Sequence, residues 1–276
     1  MAEQLTLMAV HAHPDDEAIG TGGVLARAAS EGIRTVLVTC TNGELGDAPG
    51  GIKPGLDGHT GEEVAVVRKR ELEQACKALG VSHLEMLGYH DSGMMGWDQN
   101  SAPHAFWNTP VEEAAKKLAA LFEQHRPDVV VTYDENGFYG HPDHIQANRI
   151  TLAATEMTGI PRKVYYTAVA RSAVEALMQA VKSGDLPFDE DFAQWDPDAP
   201  PFGVPDELIT TVVDVAMFTP AKRAAIAAHA SQSENIWMLK LGDEVFDFIF
   251  GKESFTRHAD STGAPTPEED LFAGLR

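Results

Sequence analysis

Leu5 to Glu17 (LTLMAVHAHPDDE) joins a nearly continuous apolar run to a cluster of histidines and acids. Leu5 to Val10 has the composition of a strand covered on both faces, the environment of a parallel sheet. The run ends at His11, and a proline and three acids follow within six residues. The same design returns at Asp128 to His144 (DVVVTYDENGFYGHPDH), a Val-rich run leading into a second His-Pro-Asp. In an open α/β sheet the functional crevice lies beyond the carboxyl ends of the strands, so both polar segments are expected on the same edge.

Working outward, Thr35 to Cys40, His83 to Leu87 and Lys163 to Val169 read as further strands. Ala18 to Ser30, Glu62 to Leu79 and Val111 to Gln124 carry apolar residues at helical spacing. Val64, Val67, Leu72, Ala75 and Leu79 approximate one face of a helix ending at Gly80, a natural C′ residue. A helix opens near Pro142. The alternation predicts an α/β fold with an open, Rossmann-like, mostly parallel sheet and helices on both faces. A strand at Leu208 to Val213 and a helix from Pro220 to Ala230 follow. Residues 183–205 read as a surface excursion and 257–276 as a turn-rich, mobile end, so the C-terminal part carries long loops. Residues 1–276 are expected to form one domain.

Against 21 Lys+Arg stand 42 Asp+Glu, a formal charge of −21. Nucleic-acid binding and attraction to an anionic membrane both need a basic face, so neither is expected. The first residues lack a positively charged leader, and no run reaches the ~18 consecutive apolar residues of a membrane span. Cys40 and Cys76 are too few for a disulfide framework and read as core thiols. A soluble, cytoplasmic protein is expected, with homo-oligomer formation left open.

The chemistry follows from spacing. His13 and Asp16 are three apart and fall on one side if the chain coils after Pro14, while Asp15 points elsewhere. His141 and His144 repeat the arrangement, with Pro142 placed to start a helix. Imidazole plus carboxylate suits Zn²⁺ or another borderline first-row metal, and two His with one carboxylate leave an open position for catalysis. Asp15 is the candidate base. His141 is the candidate oxyanion stabiliser, with Asp143 orienting it or sharing its proton. The tract Gly20-Thr21-Gly22-Gly23 fails as a dinucleotide loop because Leu25 takes the last glycine position, and close helix packing explains it better.

HAHPDDE, TYDENGFYGHPDH and Ala227 to Gln232 (AAHASQ) together resemble the zinc-dependent PIG-L/LmbE-like deacetylases, and most of all the branch in mycothiol metabolism. The likeness runs from Leu5 to Gln232 and returns at Asp270 to Gly274. It implies Zn²⁺, with Fe²⁺ as competitor, held by His13, Asp16 and His144. It also implies Asp15 as general base, His141 as oxyanion stabiliser or general acid, Asp143 as its tuning group, and Tyr139 closing over the substrate carbonyl. Arg68, Glu71 and Asp91 match the family's substrate-binding positions.

The implied reaction is removal of an N-acetyl group from a small glucosamine-type conjugate. Amide cleavage of mycothiol S-conjugates, tailoring of a glycosylated natural product, and a non-catalytic sugar-binding module are the alternatives. Residues Gly46 to Thr60 and Met94 to Asn108 depart from the mycothiol enzymes and flank the expected mouth. Without the family, Arg68 would read as part of a solvated helix face paired with Glu71. His229 divides evenly between a group supporting the site and a helix-end packing residue.

Overall fold

The computed structural model describes residues 4–184 and 202–276, so 185–201 of the expected surface excursion lie outside the described residues. Strands β1 (Thr6–His11), β2 (Arg34–Thr41), β3 (His83–Tyr89), β4 (Val129–Thr132) and β5 (Lys163–Ala168) are mutually parallel in the order β3-β2-β1-β4-β5. Beyond them stand β6 (Thr211–Asp214) and β7 (Lys252–Asp260). β7 inserts between β5 and β6, antiparallel to both, which completes a seven-stranded, mostly parallel sheet.

The apolar runs are explained by what covers them. Helices α1 (Asp16–Gly20), α2 (Gly22–Ser30), α3 (Gly61–Leu79), α4 (Val111–His125), α5 (Pro142–Thr158), α6 (Arg171–Lys182), α7 (Thr219–Ala228), α8 (Ile236–Lys240) and α9 (Asp243–Phe250) surround the sheet. Leu7, Ala9, Leu37, Val129 and Val131 pack with Leu25 of α2, Leu72 of α3 and Ile226 of α7. Met8, Val10, Val36, Val38 and Val130 pack with Leu118 and Phe122 of α4 and Ile150 of α5. Successive strand residues point to opposite faces, so each central strand is buried on both sides. α3 stops where Gly80 turns left-handed, at φ 69°.

Some elements differ from the sequence reading. The helix expected over 18–30 breaks at Thr21 into α1 and α2. Glycines on either side weaken helical continuity, and Thr21 Oγ1 is engaged by His11 Nε2 at 2.8 Å. Gly23 is required by packing, since a Cβ there would lie 2.5 Å from Val215 Cγ2. Residues 257–260, expected in a mobile end, are the last part of β7, and Glu268, Leu271 and Phe272 beyond it are buried. Glu268 joins Lys163 in an ion pair with both side chains at 0% exposure.

The chain leaves β1 toward β2 and β3 on one side, and resumes at β4 on the other. The reversal of strand order therefore falls between β1 and β4. Their carboxyl ends open the crevice of a doubly wound sheet, and the two His-Pro-Asp segments leave from those ends.

Candidate active site

The loop after β1 is built around one carboxylate. Asp16 Oδ2 accepts the His13 N–H at 2.8 Å and the Tyr133 hydroxyl at 2.7 Å. The Tyr133 oxygen in turn accepts the Ala12 N–H at 2.9 Å, which ties the end of β1 to the end of β4. Asp16 Oδ2 also lies 3.4 Å from His13 Nδ1 and 3.6 Å from His144 Nε2. The expected trio of His13, Asp16 and His144 is thus brought together.

The loop after β4 supplies the opposite wall. His141 is the N-cap of α5 with Pro142 next to it, and its Nδ1 accepts the Asp143 N–H at 3.1 Å. Nδ1 being an acceptor leaves the proton of a neutral ring on Nε2. Asp143 is fully buried, at 0% exposure. Its Oδ2 contacts His13 Nε2 at 3.1 Å and accepts the Ser92 N–H at 2.8 Å. His144 stacks on Tyr133 with ring centres 4.1 Å apart. Tyr139 is 42% exposed and stands edge-on to His144 at 5.0 Å.

These residues fit a metal ion. Donor atoms of His13, His141 and His144 lie within 4.8 Å of one another, as do those of His13, Asp91, His141 and Asp143. His144 Nε2 is buried and has no hydrogen-bond partner, a costly state that a metal would relieve. Burial pushes the Cys40 thiol up, so it offers no thiolate and the donor set stays imidazole and carboxylate. His141 lies as close to the cluster as the expected ligands.

Electrostatics separates the adjacent carboxylates. Burial raises Asp15 above the usual carboxylate range, against the pull of Arg68. Burial acts on Asp16 too, but His144 and His13 overcome it and hold Asp16 well below that range. Environments that push neighbouring groups apart mark different roles for them. Burial opposes charge on His13, yet Asp91, Asp143 and Asp16 carry it well above the imidazole value. Burial, then the charges of His13 and His144, lower His141 to about 2.

The remaining expected residues have definite surroundings. Arg68, read from the helix alone as solvated, is 3% exposed. Its guanidinium donates to Gly43 O at 2.7 Å and to Pro14 O, and lies 3.2 Å from Asp15 Oδ1. Gly43, at φ +66°, leaves it room, since a Cβ would sit 2.4 Å from Arg68 Nη1. Glu71 accepts from the Ser231 N–H and hydroxyl. Both groups are therefore engaged within the protein. Asp91 Oδ1 accepts the Gly93 N–H at 2.8 Å and lies 3.6 Å from His13 Nε2.

Several residues at the site were not singled out by the sequence. Glu44 pairs with His90 Nδ1 at 2.6 Å and accepts the Asp91 N–H. Its position just after β2, on the same sheet edge, was the available signal. Ser92 and Tyr133 hold Asp143 and Asp16, and Glu17 contacts His229 at 2.7 Å. Asn235 donates to Asp15 Oδ2 at 3.0 Å.

A buried His/Asp donor set that could hold a metal ion, at the switch point of an open parallel sheet and beside a carboxylate kept apart in pKa, is an arrangement suited to hydrolysis. The sequence carries that chemistry to a family. Residues 8–155 match the family model PIG-L: GlcNAc-PI de-N-acetylase, and the chain belongs to the PIG-L family. It is 41% identical over 285 residues, 98% of this chain and 91% of the other, to 1D-myo-inositol 2-acetamido-2-deoxy-alpha-D-glucopyranoside deacetylase of Salinispora arenicola.

Solved structures share the fold at lower identity. N,N'-diacetylchitobiose deacetylase from Pyrococcus horikoshii matches with a TM-score of 0.56 at 19% identity, covering 91% of this chain and 83% of that one. The 4-carboxy-2-hydroxymuconate hydratase GalB from Pseudomonas putida matches with a TM-score of 0.55 at 17% identity, covering 92% and 96%. A hydratase on this fold shows that the fold alone does not choose the reaction, which is set by the site.

Proposed function

We propose that the protein removes the acetyl group from an N-acetylglucosaminyl-inositol-type substrate by metal-dependent hydrolysis of its amide. The observation that carries this reading is Asp15. It is a partly buried carboxylate of raised pKa, held by Arg68 and Asn235 beside the His13, Asp16 and His144 side chains. The S. arenicola relative is named for that substrate and aligns over 98% of this chain.

Zn²⁺ held by His13, Asp16 and His144, with Fe²⁺ as the competing ion, would supply Lewis acidity: a polarised carbonyl and a water acidified toward pH ~7. Asp15 takes the proton of the attacking water. His141 offers Nε2–H to the oxygen of the tetrahedral intermediate as a neutral donor, its Nδ1 being occupied by the Asp143 N–H. Asp15 then returns that proton to the departing amine. Asp143 orients His13 through Nε2. Tyr139 covers the carbonyl, and Asp91 receives a sugar hydroxyl.

The test compares zinc-loaded with chelated protein on N-acetylglucosaminyl-inositol and on a mycothiol S-conjugate. Acetate release from the first, lost on chelation and recovered with zinc, is the expected result. Release of a mercapturate from the second without acetate from the first would replace this reading with the amidase. Tight binding of sugar without turnover would replace it with a binding module.

A further inference from the structure

The end of α7 and the turn after it return to the HPDD loop and reach Asp15 directly through Asn235 and indirectly, through Glu17, from His229. Asp15 is a non-glycine residue at φ 125°, a backbone conformation that L residues rarely adopt and that its surroundings must enforce. Its N–H donates to Glu17 Oε2 at 3.0 Å. The other oxygen of Glu17 meets His229 Nε2 at 2.7 Å, with both side chains at 0% exposure. From the same segment, Asn235 Nδ2 donates to Asp15 Oδ2 at 3.0 Å, opposite the Arg68 contact on Oδ1.

The segment is itself pinned. Ser231 donates from backbone and hydroxyl to Glu71. Gln232 brackets Asp47, accepting its N–H and donating to its carbonyl. Ser233 donates to Asp47 Oδ2 through N–H and hydroxyl. A freely moving loop would not need three separate anchors within three residues.

We propose that residues 229–235 are a positioning arm for the Asp15 base. His229, acting through Glu17, fixes the main chain of Asp15 in its turn, and Asn235 fixes the direction of its carboxylate. Neither touches substrate; both act through Asp15, so the inference rests on Asp15 being the base. It assigns a catalytic purpose to a stretch more than two hundred residues away from the motif it serves.

The test uses the full zinc-loaded chain in the acetate assay. Asn235→Ala is expected to lower kcat about 10- to 100-fold, the scale of a misplaced catalytic group. KM should stay within about twofold and zinc content unchanged, the pattern of an interaction that acts on the chemical step. His229→Gln, which keeps an N–H for Glu17, should retain more turnover than His229→Ala. In an Asp15→Asn background, adding Asn235→Ala should cause no further loss, because the two act through one group.

Unchanged kcat in Asn235→Ala overturns the arm, and so does a rise in KM alone, loss of zinc, or a full additional loss in the Asp15→Asn background. Each of these leaves the base reading standing. Full turnover by Asp15→Asn itself removes the base and the arm together. If His229→Ala does not fold because Glu17 is left buried and unpaired, Asn235→Ala decides alone.

Discussion

Replacing Tyr133 with phenylalanine removes one oxygen and leaves the ring stacked on His144. That oxygen donates to Asp16, accepts the Ala12 N–H and lies 3.2 Å from His11 Nδ1. Tyr133 is 4% exposed, so solvent does not replace it. The Ala12 N–H loses its buried acceptor, at a cost of ~1–3 kcal/mol. Taking about 2 kcal/mol, a chain of this size should melt ~4–8 °C lower when chelated. Asp16 keeps the His13 N–H but loses its second donor. Removing such a support from a ligating carboxylate weakens metal affinity ~10- to 100-fold. In fixed excess zinc that adds about 1.4–2.7 kcal/mol, so the zinc-loaded variant should fall further than the chelated one. Thermal unfolding with and without zinc, and competition against a chromophoric chelator, measure the two effects separately. Zinc affinity equal to that of the parent protein would refute Asp16 as a ligand oriented by Tyr133. An unchanged melting temperature would refute the buried Ala12 N–H argument.

Asp15→Ala should lower turnover by at least ~10²- to 10⁴-fold while zinc stays bound; loss of zinc in that variant would exchange the roles of base and ligand. Chelation of the parent protein should abolish acetate release, and stoichiometric zinc should restore it. Lys163→Met removes one of two cations from buried Glu268, leaving Arg257 2.9 Å from Oε1, and should cost less than the ~3–5 kcal/mol of a fully unpaired buried charge, read by denaturant unfolding. Burial works against charge on Glu268, but the hydrogen bonds from Lys163, Tyr165 and Thr211 prevail, so its folded pKa is depressed. Its contribution is then full above the unfolded value of about 4.3 and is lost as pH falls through the folded one. Glu268→Gln should accordingly flatten the acid side of the stability curve; an unchanged acid limb would assign acid unfolding to other carboxylates.

The sheet was legible wherever burial on both faces left a continuous apolar run, as in β1, β2 and β4. β7 was not. Its nine residues, KESFTRHAD, carry charge on both faces, because Glu253 is buried against Lys222 and the N–H groups of Gly23 and Val24. Buried ion pairs erase the periodicity on which strand recognition depends. The same physics hid Arg68, whose cation sits against carbonyls and Asp15 inside the fold although its helix context looks solvated. Spacing brought His13, Asp16, His141 and His144 together because both motifs leave neighbouring strands, and the family resemblance selected His13, Asp16 and His144 among them. Glu17 reads in sequence as an acid in the first turn of a helix, and only the return of α7 shows what it holds.

The placement of β7 has a consequence for biosynthesis. β6 is made before β7 but meets the rest of the sheet only through it, so after β5 emerges from the ribosome its outer edge waits for residue 252 and beyond. At ~5–20 residues per second that is an interval of several seconds or more with an apolar edge open to other chains. Lys163, on that edge, waits longer still for Glu268, 105 positions later. A nascent chain of this protein is therefore most exposed to aggregation late in translation, after both catalytic motifs have already been made.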